Sequence, residues 1–75
     1  MPKYLGYLTL EDNQYSVTFP GFPGCVTCGD TIKEAVRNAR EALTGHVAAM
    51  KEDGEALPEP VPEHTIYIEV EVPED

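Results

Sequence analysis

Basic side chains are scarce in this 75-residue sequence, which has five Lys and Arg against fourteen Asp and Glu and a net charge of −9. A protein that binds nucleic acid needs clustered Lys and Arg to neutralise the phosphates. Most of the basic residues here are scattered along one predicted helix, so we expect no direct binding of DNA or RNA. An acidic surface instead speeds encounter with a basic partner, through a field that salt screens.

Long apolar runs are also missing, since no stretch approaches the roughly 18 consecutive apolar residues that a membrane span requires. The N-terminus lacks the charged-then-apolar pattern of a secretory signal. We therefore expect a cytoplasmic protein without a membrane association. There are only two cysteines, and a reducing compartment favours free thiols over a disulfide.

The length predicts a single small domain, residues 1–75, with a thin margin of stability. A domain of this size buries only about 60% of the surface that its unfolded chain exposes. Because 41% of the residues are hydrophobic, the chain can still form a core. A second subunit would enlarge that core, so we expect a homodimer or a higher homo-oligomer.

The N-terminal half is predicted to form a three-stranded meander. Residues Tyr4–Leu10 and Gln14–Phe19 are rich in β-favouring types on either side of a polar break, which indicates a hairpin. In the second strand the apolar and polar side chains alternate with a period of two. The segment 20–24, with two Pro and two Gly, predicts a turn, and Cys25–Cys28 a short third strand.

A single amphipathic helix is predicted next. Thr31 and Glu34 have the spacing of a capping box, and Asp30 adds negative charge near the positive end of the helix dipole. Gly54 suits the left-handed conformation that ends a helix. One apolar stripe is formed by Ile32, Ala35, Val36, Ala39, Leu43, Val47 and Met50.

A fourth strand is predicted after the proline-rich connector 57–62, which cannot be helical. Ile66, Ile68, Val70 and Val72 alternate with polar or aromatic residues, and this is the clearest strand pattern in the chain. The predicted fold is therefore α+β with the order β-β-β-α-β. A right-handed crossover would place the last strand parallel to the first in a four-stranded mixed sheet, with one helix on one face. The opposite face, left for solvent or a partner, draws on Ser16, Thr18, Thr65, Tyr67, Glu69 and Glu71.

The run Phe19–Leu43, FPGFPGCVTCGDTIKEAVRNAREAL, resembles the signature of HicB-type antitoxin N-terminal domains. That signature reads P-x-x-P-G-C-x-T-x-G-D-T, followed by a helix with E-A-x-x-N-A-x-E-A-L. The match continues through Asp53-Gly54 and residues 57–60. Several of these positions have a structural explanation as turn and helix-start residues: Pro23, Gly24, Cys25, Gly29, Asp30, Thr31, Glu34 and Gly54.

The resemblance implies a degenerate, partial ribonuclease H-like fold. It also implies a partner, because family members bind a small basic ribonuclease toxin of the HicA type and block it from messenger RNA. Many members carry a C-terminal DNA-binding domain. No such segment follows Pro73 here, so we do not expect autorepression by this chain alone.

Three residue patterns resemble chemical sites, and each has a simpler interpretation. Glu69 and Glu71 share a strand face and could belong to a metal-dependent nuclease site, but a solvated face is the better prediction. The Cys25-x-x-Cys28 spacing occurs in redox and zinc sites, yet the pair does not open the helix and lacks matching ligands. His46 and His64 are interpreted as partly exposed residues. We therefore expect a non-enzyme without metal or cofactor.

The function predicted from the sequence is that of a binding module that sequesters a small basic, mRNA-cleaving toxin. The alternative is an orphan HicB-like oligomeric domain, regulatory or structural, with a different protein partner. The candidate partner-binding residues are polar or acidic positions on the free sheet face, the helix end and the connector: Ser16, Thr18, Tyr67, Glu69, Glu71, Glu52, Asp53, Glu55 and Glu59.

Overall fold

The computed structural model describes residues 2–73. Three strands, β1 (Tyr7–Glu11), β2 (Gln14–Thr18) and β3 (Val26–Gly29), precede one helix, α1 (Ile32–Glu52). The strands form an antiparallel sheet in the order β1-β2-β3. The predicted α+β class, the meander and the helix are therefore confirmed.

A tight turn joins β1 to β2. Asp12 and Asn13 both have positive φ angles, 50° and 63°, and the strands close immediately around them with Glu11 opposite Gln14. Two central residues with positive φ define a type I′ turn, whose twist matches that of a β-hairpin. Asp and Asn tolerate this conformation better than other non-glycine residues.

The strand register determines which side chains face the helix. Val17, at 4% exposure, is a core residue, and its cross-strand partners are Leu8 in β1 and Thr27 in β3. Directly opposed residues share a face of a sheet. Leu8 and Leu10 therefore lie on the helix side of β1, and the residues that alternate with them lie on the reverse side.

Phe22 is the centre of the core, with 2% exposure. Its ring packs edge-on against Tyr4, at 4.9 Å between centroids, and against His46 of α1, at 5.8 Å. The proline-glycine turn supplies the geometry, since the Phe22 amide donates to the Phe19 carbonyl at 2.9 Å and Gly24 takes a φ of +86°. This turn thus buries an aromatic anchor that links the N-terminal segment to the helix.

Both ends of α1 are closed by local hydrogen bonds. Thr31 is the N-cap, and its Oγ1 accepts from the Glu34 amide at 3.0 Å. The Glu34 carboxylate accepts in return from the Asp30 amide, one residue earlier than in a standard capping box. At the other end Gly54 has a φ of +71°. The predicted cap residues therefore start and end the helix.

The helix lies very close to β3. Ala35 and Ala39 are buried at 0% and 6% exposure, and a methyl group on Gly29 would come within 2.5 Å of the Ala35 amide nitrogen. Asn38 Nδ2 donates to the Cys28 carbonyl at 2.9 Å. Within residues 2–73 the helix packs on β3 and β2 and does not reach β1.

The fourth strand is not formed in the single chain. Residues 65–73 carry no helix or strand, and the side chains predicted to alternate into a core are exposed: Ile66 is 86% exposed, Ile68 78%, Val70 70% and Val72 79%. Alternation gives a segment strand propensity, but a strand exists only when its backbone pairs with a neighbour. Within one protomer this segment has no paired neighbour, so the predicted parallel pairing with the first strand is absent as well.

The exposed C-terminal segment makes the molecule elongated. The radius of gyration is 14.3 Å, against about 11 Å for a compact chain of this length. Each branched apolar side chain left in water forfeits about 1.5–3 kcal/mol of burial free energy. The single chain therefore leaves a large part of its apolar surface unused.

We predict that Gly29→Ala lowers the free energy of unfolding by about 1–3 kcal/mol, because its methyl group would overlap the backbone of Ala35. The matched control is Gly45→Ala inside α1, where an added methyl meets nothing within 4 Å. That change is expected to raise stability by up to about 1 kcal/mol. Urea titrations of both variants measure the difference, and equal stabilities would contradict the close packing described here.

Candidate functional site

The reverse face of the sheet is uncovered. Its side chains come from alternate positions of the three strands: Tyr7, Thr9, Ser16, Thr18, Val26 and Cys28. Tyr7 and Val26 are 54% and 59% exposed, and Ser16 is only partly buried. Since the helix occupies the other side, this reverse face combines polar side chains with two apolar ones on a pleated, accessible surface.

Two of the predicted partner-binding residues belong to the reverse face. Ser16 and Thr18 are neighbours on one side of β2, opposite Cys28 and Val26 of β3. Glu69 and Glu71 were expected to extend the same face through a fourth strand. They lie instead on the unpaired C-terminal segment, where both are exposed, and the structure does not join them to Ser16 and Thr18 within one sheet.

A second predicted group lies at the end of the helix. Glu52 is the last residue of α1, Asp53 is its C-cap, and Glu55 donates its backbone amide to the Met50 carbonyl at 2.9 Å. Together with the Gly54 amide on the Lys51 carbonyl at 3.2 Å, this is a Schellman motif. All three acidic side chains are exposed, so the motif holds them in a fixed, accessible position.

The charge at this helix end opposes local stability. Carboxylates near a helix C-terminus add to the negative end of the helix dipole, which favours cations instead. Only Lys51 supplies a positive charge in the last turn. The acidic helix end therefore concentrates negative potential at one end of the molecule, as a docking site for a cationic group requires.

The connector is fixed against the N-terminal segment. The Tyr4 hydroxyl donates to the Pro58 carbonyl at 3.2 Å, and the Val61 amide donates to the Lys3 carbonyl at 2.7 Å. Apolar residues of both segments border an open groove of about 400 Å³, together with Tyr67 and the exposed Glu59. Two predicted residues, Glu59 and Tyr67, thus border this groove, which adjoins the reverse face of the sheet at Tyr7.

A second groove, which the sequence did not reveal, lies between β1 and the helix. It encloses about 270 Å³ and is bordered by Gly6, Leu8, Val17, Phe19, Val36, Ala39, Arg40 and Leu43. Leu8 is 37% exposed and Val36 47%, because α1 sits over β2 and β3. We call this the β1 groove. The alternation of Leu8 and Leu10 was the available signal, but their exposure depends on where the helix lies.

The two cysteines have different environments. Cys25 is buried in the core at 5% exposure, whereas Cys28 is exposed on the reverse face, and both are free thiols. Burial raises the pKa of the Cys25 thiol by desolvating its thiolate. A redox pair needs a lowered thiol pKa, so the geometry at Cys25 does not suit that chemistry.

Among residues 2–73 no group of three or more His, Cys, Asp or Glu side chains is placed to hold a metal ion. Likewise, no helix in that part of the chain is both long enough and apolar enough to cross a membrane.

Comparison with known proteins adds three relatives. The chain is 48% identical over 48 residues to an uncharacterized 14.9 kDa protein of the rep-hol intergenic region of Haemophilus phage HP1, covering 64% of this chain and 36% of that protein. It is 42% identical over 57 residues to UPF0150 protein Ta0767 of Thermoplasma acidophilum, covering 75% of this chain and 83% of the relative.

The third relative carries a functional name. Antitoxin HicB 1 of Photorhabdus laumondii is 38% identical over 61 residues, covering 81% of this chain and 39% of the antitoxin. This chain therefore spans well under half the length of the phage protein and of HicB 1. The family described as HicB-like antitoxin of bacterial toxin–antitoxin system matches residues 5–73. Because that match includes all three strands, the helix and the C-terminal segment, the chain belongs to the HicB-like antitoxin family.

Proposed function

We propose that this chain is a non-catalytic antitoxin module that sequesters a small basic, mRNA-cleaving toxin of the HicA type. The observation that carries the proposal is the family match over residues 5–73. It is supported by a net charge of −9, which is complementary to a basic toxin. Sequestration requires only a surface that covers the nuclease, so the module needs no catalytic group of its own.

Two surfaces of the structure suit a basic partner. The reverse face offers Ser16 and Thr18 on a flat, accessible sheet, and the acidic helix end offers Glu52, Asp53 and Glu55. Hydroxyl groups and exposed carboxylates accept hydrogen bonds from Lys and Arg, which have only donors. We place the contact with the toxin on these surfaces, with Glu59, Tyr67, Glu69 and Glu71 at its margin.

We also propose that the complete sheet of this module has four strands. Three antiparallel strands followed by a helix are the first four elements of the expected β-β-β-α-β order. The pattern of residues 65–72 supports a fourth strand that forms when a neighbouring edge is supplied. The result would be the partial ribonuclease H-like sheet that the family resemblance implies.

We predict that the complex with the toxin encoded beside this gene associates more slowly as salt rises. Raising ionic strength from about 0.1 M to about 1 M shortens the Debye length from about 10 Å to about 3 Å, which removes long-range steering between opposite charges. Stopped-flow or biosensor association rates measure the effect. A rate independent of salt would contradict a contact steered by charge, and a toxin that stays active when co-expressed with this chain would contradict the proposed function.

A second prediction locates the contact. Neutralising the acidic helix end with Glu52→Gln, Asp53→Asn and Glu55→Gln is expected to weaken toxin binding by about tenfold or more, as loss of charge-assisted hydrogen bonds does. The control neutralises the same number of charges outside the proposed contact surfaces, with Asp12→Asn in the β-turn, Glu41→Gln and Glu63→Gln. Calorimetric titration of both variants against the toxin gives the two affinities.

The comparison separates a local contact from a general charge effect. If the two triple variants lose affinity equally, only the net charge matters and the helix end is not part of the contact. If a cell encodes no small basic protein beside this gene and the chain binds none, the alternative of an oligomeric domain with another partner is favoured.

A further inference from the structure

We propose that the C-terminal segment of one protomer adds as a fourth strand to the β1 edge of a second copy of this chain, and that the exchange is reciprocal. The segment, residues 65–72, would fill the β1 groove of the partner with its apolar face. This inference does not depend on the toxin, because both halves of the contact belong to this chain.

The β1 groove presents an unused apolar surface. Leu8 is 37% exposed and Leu10 60% on the helix side of β1, and Val36 of the facing helix is 47% exposed. Beneath them the groove reaches the core residues Val17 and Phe19. The groove lies between β1 and the helix, so the side chains of one more strand beside β1 would enter it.

The outer edge of β1 also lacks a neighbour. In the order β1-β2-β3 the first strand pairs on one side only, so alternate backbone amides and carbonyls along its outer edge have no strand partner. Such an edge is a template for an added strand. All five residues of β1 are exposed, and thus no other part of the described chain covers this edge.

The C-terminal segment has the complementary pattern. Ile66, Ile68, Val70 and Val72 alternate with Tyr67, Glu69 and Glu71, so one face of an extended strand would be entirely β-branched and the other mostly acidic. The four branched side chains are 70–86% exposed. This contiguous apolar row is too large to be ordinary scattered surface, and it matches the β1 groove in chemistry and in period.

The segment forms no strand pairing on its own protomer, which leaves it available to a second copy. The connector is held at the N-terminal segment by the Val61 to Lys3 hydrogen bond. A turn follows, in which Thr65 Oγ1 donates to the Pro62 carbonyl at 2.7 Å and His64 has a φ of +62°. Tyr67 still borders a groove with Leu5 and Tyr7 of its own protomer, whereas Ile68, Val70 and Val72 beyond it are 78%, 70% and 79% exposed.

A reciprocal exchange gives a closed dimer rather than an open chain of molecules. Each protomer has one such segment and one β1 groove, so a two-fold dimer satisfies both and leaves no unfilled groove for a third molecule. The charge works against it, because each chain carries −9. Added salt screens this repulsion, and the self-association should therefore strengthen with salt, in contrast to binding of a basic toxin.

Sedimentation velocity of the full chain at micromolar concentrations tests the exchange. We expect a dimer whose dissociation constant falls as salt rises. Leu8→Glu in the groove and Ile68→Glu on the segment should each raise that constant by about a hundredfold or more, since each puts a carboxylate where the contact buries an apolar side chain. The matched control is Thr9→Glu, which adds the same charge to β1 on the reverse face and should leave the dimer intact.

Mixing the two disrupted variants gives the decisive outcome. The Leu8→Glu chain keeps an intact segment, and the Ile68→Glu chain keeps an intact groove. In a mixture the intact segment can pair with the intact groove, so the mixture should contain a dimer that neither variant forms alone. This rescue also shows that both variants are folded. Pairing of the segment with its own β1 predicts no rescue.

The outcomes that overturn the proposal are equally specific. The wild-type chain could instead be a monomer throughout the micromolar range, or associate only after the toxin is added. Either result means that the β1 groove takes an occupant other than a second copy of this chain. A dimer unaffected by Leu8→Glu or Ile68→Glu places the interface elsewhere, and a mixture that stays monomeric excludes exchange. None of these results bears on toxin binding, which is measured separately.

Discussion

The close approach of the helix to β3 is the constraint on which the rest of the structure depends. Gly29 has no side chain, and Ala35 and Ala39 have the smallest ones, so the helix backbone can rest almost directly on the sheet. Close packing of this kind fixes position more strictly than large, adaptable side chains do. The Asn38 to Cys28 hydrogen bond secures the same contact from the flank.

The position of the helix determines which surfaces remain free. Because α1 lies over β3 and β2, the reverse face, the β1 groove and the outer edge of β1 are all accessible in the single chain. The same fold thus presents a polar, partly acidic set of surfaces and a separate apolar groove. Charge and burial distinguish these two kinds of surface, since a cationic partner suits the first and a β-branched strand suits the second.

Local patterns made much of the fold predictable. The capping residues Thr31 and Gly54 set the ends of the helix within a residue or two. The period of two over residues 14–19 predicted one apolar face, and Val17 and Phe19 on that face are buried. These features depend on interactions within a few residues of the chain. The family signature was also readable, because it lies in the turn and helix start that the fold needs.

The predictions that were not met required knowledge of distant contacts. The alternation in residues 65–72 predicted a strand, but a strand also needs an edge to pair with, and the local pattern does not indicate which edge is available. For the same reason Glu69 and Glu71 could not be placed on the reverse face from sequence alone. The β1 groove depends on the lateral offset of the helix, which is set by Gly29 and Ala35 and is invisible in the spacing of Leu8 and Leu10.

The separation of the two cysteines has a consequence for handling the protein in air. Three residues of extended chain span roughly 10 Å, beyond the 4.4–6.8 Å between Cα atoms that a disulfide needs. Cys25 is enclosed by the core, whereas Cys28 faces solvent. In air we therefore expect oxidation at Cys28 alone, where two thiols of different molecules would give up their hydrogens to oxygen and form a disulfide across the reverse faces of two sheets.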